Sequence, residues 1–211
     1  VQPGDAIGRP DLLILPGSKN TIEDMNYLRE SGLEAEILEC LEQGVRIFGI
    51  CGGYQLLGQK ISDPLHLESD LEEISGLGIL ETETVLQPVK RTTQVRALHE
   101  GQELEGYEIH MGETVRDASA KPLVRLLRRE GEIEDGCQTE NAFGTYLHGV
   151  FDAPEAALRT AQALAKKKGV TLTGEALDTH AYKEQQYDKL ADSVRKSLDI
   201  EWIYRIMEGK A

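Results

Sequence analysis

Asp11-Leu12-Leu13-Ile14-Leu15 is a short apolar run that stops at Pro16-Gly17, and it reads as a buried strand feeding a loop. Asn20 or Thr21 can cap the helix that follows, with Glu23 and Asp24 in its first turn, and Gly32 and Gly44 end two successive helical segments, 21–31 and 33–43. A second apolar, β-branched run over 45–50 predicts another strand, and Tyr54-Gln55-Leu56-Leu57 can form a helical turn. Strand, helices, strand, helix is the signature of a parallel α/β sheet. From Gly76 the pattern changes to short strands with turns: 77–80, 92–98 and 107–110, then 123–129, then 143–147 ending at His148. Asp152-Ala153-Pro154 reads as an N-cap followed by proline, and opens an amphipathic helix over 155–168. A break at 169–174 precedes a long charged helical tail over 184–208.

The chain has 211 residues, long enough for one well-buried domain. Its net charge of −14 argues against a nucleic-acid partner, because no basic stripe exists to neutralise phosphates. The one basic cluster, Lys166-Lys167-Lys168, falls at a helix end, where cations suit the dipole. No apolar run approaches the length that crosses a bilayer, and no segment resembles a signal peptide, so the expectation is a cytoplasmic protein without membrane partners. Three cysteines, Cys40, Cys51 and Cys137, are too few and too scattered for a disulfide framework or a zinc site, and fit a reducing compartment. Cys40 and Cys137 read as inert; only Cys51 has a glycine setting that suggests exposure.

That setting is Gly49-Ile50-Cys51-Gly52-Gly53, a strand–turn–helix corner with G-x-C-x-G at its apex, the thiol version of a nucleophile elbow. Such a turn exposes the sulfur, the helix N-terminus favours thiolate, and the next N–H can face an oxyanion. The competing reading is a small buried cysteine in a glycine-rich turn; the G-K-[ST] of a phosphate loop is missing. A base must come from five histidines. His66 and His180 read as surface or filler residues and His99 adjoins acidic residues in a turn, whereas His110 lies on a strand ending in glycine and His148 at a strand end followed by glycine. Spacing does not choose between those two.

Three blocks, Leu15-Pro16-Gly17-Ser18-Lys19-Asn20-Thr21, the elbow 49–58, and Gly144-Thr145-Tyr146-Leu147-His148-Gly149-Val150-Phe151, resemble class I glutamine amidotransferases. With Gly106-Tyr107-Glu108-Ile109-His110-Met111-Gly112-Glu113-Thr114 they are similar, in this order, to the glutaminase domains of the cobyric acid synthase family. The resemblance implies a three-layer, flavodoxin-like α/β fold with a mostly parallel sheet and helices on both faces. It implies Cys51 as nucleophile and His148 as base. On that footing Gly52 supplies one oxyanion donor and the loop at Gly17-Ser18 the second, while Gln55, Glu108 and His110, with the stretch 107–114, are candidates to line the glutamine site. Many class I members carry a glutamate two residues after the histidine; here that position is Val150, and Glu108, Glu113 or a backbone carbonyl are the candidates to orient His148 instead. The resemblance further implies that residues 1–211 form one amidotransferase domain lacking its first strand, with an ATP-dependent synthetase domain upstream. That absent domain would hold ATP and Mg and the corrinoid acceptor, and this domain would need no cofactor or metal. The alternatives are the glutaminase of a related amidotransferase (cobyrinic acid a,c-diamide synthase type or lipid II amidating type), a cysteine hydrolase on the same fold, or a non-catalytic domain of that fold.

Overall fold

The computed structural model of the protein describes residues 4–129 and 131–210. The chain divides into two compact units, Val1–Val150 and Phe151–Ala211. The first contains β1 (Leu12–Leu15), α1 (Thr21–Glu30), α2 (Leu33–Glu42), β2 (Arg46–Ile50), α3 (Gly52–Leu57), β3 (Lys60–Ser62) and β4 (Glu73–Ser75). It continues with β5 (Thr82–His99), β6 (Gln102–Arg116), β7 (Val124–Arg128), β8 (Gly131–Asp135), β9 (Cys137–Gln138) and β10 (Ala142–Thr145).

The first sheet has the order β1-β2-β10-β9. β1 and β10 both run parallel to β2, so Phe48 pairs with Ile14 on one side and Phe143 on the other, and β9 is antiparallel. The expected α/β class is therefore what the chain adopts. α1 starts where the sequence places it: the Asn20 side chain accepts from the Glu23 N–H, and Ile22 and Met25 are buried beneath the helix. Ile22, Met25, Ile37, Ile47, Leu57, Ile61 and Leu80 form the centre of one core cluster.

The second sheet, order β4-β3-β5-β7-β8 with β6 also on β5, is mostly antiparallel and differs from the sequence expectation. The segments 92–98 and 107–110 are parts of two long strands, β5 and β6, joined at Glu100-Gly101, where φ is 50° and 80°. Positive φ at both central residues matches the right-handed twist of a hairpin. Pro88, which has no N–H for a ladder, sits where the register shifts between Leu86 and Arg91. Residues 77–80 form no strand; the N–H groups of Leu77, Gly78, Ile79 and Leu80 bond to the carbonyls of Leu56, Gly58 and Leu57, closing the end of α3.

The second unit consists of α4 (Pro154–Lys167), α5 (Thr179–Ser197) and α6 (Ile200–Met207). Pro154 opens α4 as expected, but Ala153 is the N-cap; Asp152 instead pairs through its carboxylate with Lys183 at 2.6 Å. The expected single tail helix is two. Leu198 is extended, and the Asp199 side chain restarts the helix by accepting from the Trp202 N–H. No helix is long and apolar enough to cross a membrane, among the described residues.

Candidate active site

Cys51 and His148 follow the carboxyl ends of two adjacent parallel strands, β2 and β10, the place where open α/β sheets gather ligands. The Cys51 N–H still bonds to the Thr145 carbonyl at 2.9 Å, while its own carbonyl already accepts from Gln55 N–H in α3 at 3.1 Å. Between those two commitments the backbone turns at φ 54°, ψ −110°. For a side chain with a Cβ this conformation costs on the order of 1–3 kcal/mol, and it persists only where packing over-determines it. Packing does so here. A Cβ on Gly53 would stand 2.0 Å from the Leu15 carbonyl oxygen, so the first turn of α3 lies directly on the end of β1. A Cβ on Gly52 would stand 2.6 Å from both the backbone nitrogen and the Cβ of Ser18. Only glycine lets these two backbone segments meet, and the meeting brings the Gly17-Ser18 loop against the elbow.

His148 and Cys51 face the same space. A Cβ on Gly17 would lie 3.7 Å from His148 Cε1 and 3.8 Å from Cys51 Cβ. The histidine backbone is fixed by an exchange with β6: His148 N–H donates to the Tyr107 carbonyl at 2.8 Å, and Tyr107 N–H to the His148 carbonyl at 3.3 Å. The Tyr107 and His148 rings stack, with centroids 4.8 Å apart and planes within 4°. His148 Nε2 is buried and has no hydrogen-bond partner among the described residues.

The electrostatics correct one expectation. The elbow does not expose Cys51, which is 8% accessible; strand β6 covers it, and its thiol donates to the Ile109 carbonyl at 3.6 Å. Burial pushes the thiol pKa up, and Glu68 adds to this, while the Gly52 N–H and Lys90 pull the other way without reversing it. Burial, helped by His110, holds His148 below the ordinary histidine value. A protonated thiol beside a neutral imidazole with a free nitrogen is the combination that general-base activation needs.

Gln55, Glu108 and His110 belong to a buried polar network beside this pair. Gln55 accepts from the Thr21 hydroxyl at 2.9 Å and donates to the Tyr146 hydroxyl at 3.0 Å, so its amide is committed. Tyr146 also bonds Thr114 at 2.6 Å, and its ring stacks on His110 with centroids 3.8 Å apart. Glu108 is ion-paired with Arg128 and faces His110 Nε2 at 3.6 Å. Arg91, Glu108, His110, Arg128, Asp135 and Tyr146 help to line a cavity of about 700 Å³; neither Cys51 nor His148 is among its lining residues. Among the described residues no carboxylate bonds the His148 ring.

Sequence reasoning passed over Glu68 and Lys90, an anion and a cation that both act on the Cys51 thiol. Glu68 is set in place by backbone geometry: its carboxylate accepts from Thr21 N–H at 2.9 Å, and its carbonyl accepts from the Asn20 side chain at 2.8 Å. The loop bearing it is tied by the buried Asp63, which accepts from Leu67, Glu68 and Ser69 N–H groups. Nothing in the local pattern around either residue marks it.

Residues 1–156 match the family model described as the CobB/CobQ-like glutamine amidotransferase domain. The chain belongs to that family. A cobyric acid synthase of Streptococcus sanguinis (strain SK36) is 68% identical over 213 residues, covering 98% of this chain and 43% of the relative. The cobyric acid synthase of Alkaliphilus metalliredigens (strain QYMF) is 45% identical over 223 residues, covering 98% of this chain and 44% of that protein. The chain thus spans less than half the length of these relatives. Among solved structures, one described as a glutamine amidotransferase superposes with a TM-score of 0.55 at 20% identity, covering 74% of this chain and 79% of that one. PurLQS from Thermotoga maritima superposes with a TM-score of 0.53 at 17% identity, covering 78% and 82%. The fold is that of class I glutamine amidotransferases.

Proposed function

We propose that this family member hydrolyses glutamine through Cys51 and His148 and delivers the ammonia to an ATP-dependent amidation of corrinoid carboxylates, in cobalamin biosynthesis in the cytoplasm. The observation that carries the proposal is the strained Cys51 elbow sharing the space above Gly17 with the unpartnered nitrogen-bearing edge of His148. In the first step the Cys51 sulfur attacks the side-chain amide carbon of glutamine while His148 takes the thiol proton. The tetrahedral oxyanion is held by the Gly52 N–H and the Ser18 backbone beside Gly17. Collapse breaks the C–N bond, His148 returns its proton to the nitrogen, and ammonia leaves. Water then attacks the thioester, His148 accepts its proton and passes it to the departing thiolate, and glutamate is released. Glu68 and Lys90, opposite charges within electrostatic reach of the sulfur, suit the ammonium and carboxylate of an amino-acid substrate. Gln55 and His110 support the floor of the site by holding Tyr146, and Glu108 backs His110. The remainder of the full-length protein is the partner in this reading: it would supply the ATP and Mg site and bind the corrinoid acceptor, and residues 1–211 would be the amidotransferase part.

The test is Cys51→Ala in the full-length protein. Glutamine-dependent amidation should be abolished, while amidation driven by added ammonium chloride should persist, because the ligase needs only the amine. Loss of both activities in a folded protein would overturn the division of roles.

A further inference from the structure

A histidine base has to be held in one orientation, and the usual device is a hydrogen bond from its second ring nitrogen to an acid. Here the position two residues on is Val150, no described carboxylate bonds the ring, and Nε2 is buried without a partner. Among the described residues, therefore, no hydrogen bond to the imidazole sets its plane.

The contact that does set it is the aromatic one. Tyr107 and His148 exchange both backbone hydrogen bonds, which makes them a directly opposed antiparallel pair with side chains on the same face. The exchange needs close approach, and Gly106 permits it: a Cβ there would stand 2.1 Å from the His148 carbonyl oxygen. From those fixed backbones the two rings lie parallel within 4°, at 4.8 Å. Tyr107 is 47% exposed, so it is not core filling, and its hydroxyl makes no hydrogen bond among the described residues. What the site uses is the face of the ring.

We propose that Tyr107 is the positioning residue of the site: its stacked ring fixes the His148 imidazole in the plane needed to reach Cys51, in place of an acid. This inference rests on the glutaminase reading above. A ring that wobbles spends less time aligned, so the effect falls on kcat and on thiol activation, and KM is spared.

The experiment makes Tyr107→Phe, Tyr107→Leu and Tyr107→Val in the full-length protein, alone and combined with His148→Ala. Two rates are read: glutamine hydrolysis, and alkylation of Cys51 by iodoacetamide at neutral pH, with Cys51→Ala as the blank. The alkylation rate needs no turnover, so it reports on Tyr107 even if glutamine is not the substrate. Phe should stay within about two-fold of wild type, whereas Leu and Val should each lose about ten-fold in kcat and in alkylation rate, with KM little changed. Neither should lose anything further once His148 is alanine, because the ring it positions is gone. Equal losses with and without His148, or Leu and Val variants as fast as wild type, would overturn the positioning role. Absence of glutamine hydrolysis in the wild type would instead overturn the glutaminase reading, and the alkylation cycle would still decide the role of Tyr107.

Discussion

The parallel sheet and the antiparallel sheet of the first unit contribute to one site by different means. At the ends of β2 and β10 everything is decided by backbone: a turn at φ 54°, and glycines at 52 and 53 that let β1, the Ser18 loop and α3 touch. From β6 come side chains: Tyr107 on His148, His110 on Tyr146, Glu108 on Arg128. The reacting groups are placed by local chain geometry, where an added methyl group is intolerable. Their orientation and protonation are set by long-range strand pairing, which tolerates changes that preserve shape and charge. Substitutions on the first side should therefore act steeply, and those on the second in graded fashion.

After the complete loss expected of Cys51→Ala, the largest effect expected of a folded variant belongs to His148→Ala. Removing a general base costs about 10²–10⁴ in rate, and the half-buried imidazole carries no core packing, so the melting temperature should move little. Glutaminase kcat and a thermal melt measured together check both halves. A His148→Ala protein within ten-fold of wild type would place the base elsewhere.

Gly53→Ala comes next, and acts on stability. Its Cβ would meet the Leu15 carbonyl oxygen at 2.0 Å, a backbone atom that cannot swing aside. Overpacking of this kind costs about 1–3 kcal/mol, and this contact belongs at or above the top of that range. Denaturant unfolding gives the value. A loss below about 1 kcal/mol would mean that α3 and β1 separate easily, and that the elbow is less constrained than its glycines imply.

That contrast also explains what the sequence conveys. The elbow is legible because G-x-C-x-G states a local steric requirement, and the strands at 12–15 and 46–50 because each is a short apolar run, although β1 lies at the edge of the sheet and only Leu15 of it is buried. The β5–β6 hairpin is not, since Pro88 and the register shift after Leu86 interrupt the alternation that would have revealed 18 and 15 residues of continuous strand. In the sequence His110 and His148 look equivalent because each lies near a glycine at an apparent strand end. Only the fold separates them: His110 bonds the Gly112 carbonyl at 2.8 Å and stacks on buried Tyr146, whereas His148 faces Gly17 and Cys51. The glycines around Cys51 suggest exposure, but the cover supplied by Ile109 comes from 58 residues away.

On the antiparallel side the graded expectation falls first on Asp135. It is half-buried, and one carboxylate oxygen accepts from both the Thr145 hydroxyl and the Tyr146 N–H, which ties the end of β8 to the strand that delivers His148. Asp135→Ala leaves both donors unpaired and should cost about 1–3 kcal/mol of stability. Asp135→Asn keeps an acceptor and should cost less. Burial pushes the carboxyl pKa up despite those bonds, so the native state holds its proton to higher pH than the unfolded chain does. For this group stability rises as pH falls through the folded value toward the ordinary one, and Asn should flatten that part of the pH–stability curve. Equal losses for Asn and Ala would show that the charge, and not the acceptor, matters.

The smallest effect is a displacement of the pH profile, and it tests the protonation states of the reacting pair. His148 is held below the ordinary value of about 6.5 by burial first and by His110 second. The neutral imidazole is the active form of a base, so the acid limb of kcat/KM for glutamine hydrolysis should lie below that value, with activity lost as pH falls through it. Linkage runs the same way: the unfolded chain takes up the proton first, so this histidine makes the fold less stable as pH drops. Replacing His110 with Gln removes the second cause but leaves the burial, and should move the acid limb upward without restoring the ordinary value. The Cys51 thiol is pushed the other way, and its proton leaves with His148 during attack, not beforehand. The alkaline limb should accordingly lie above the ordinary thiol range of about 8.5, leaving a broad plateau around neutrality. A resting thiolate–imidazolium pair would give the opposite pattern, with an acid limb set by the thiol and alkylation of Cys51 already fast at pH 6. That result would move the first proton transfer to before substrate binding and would assign His148 the role of counter-ion at rest.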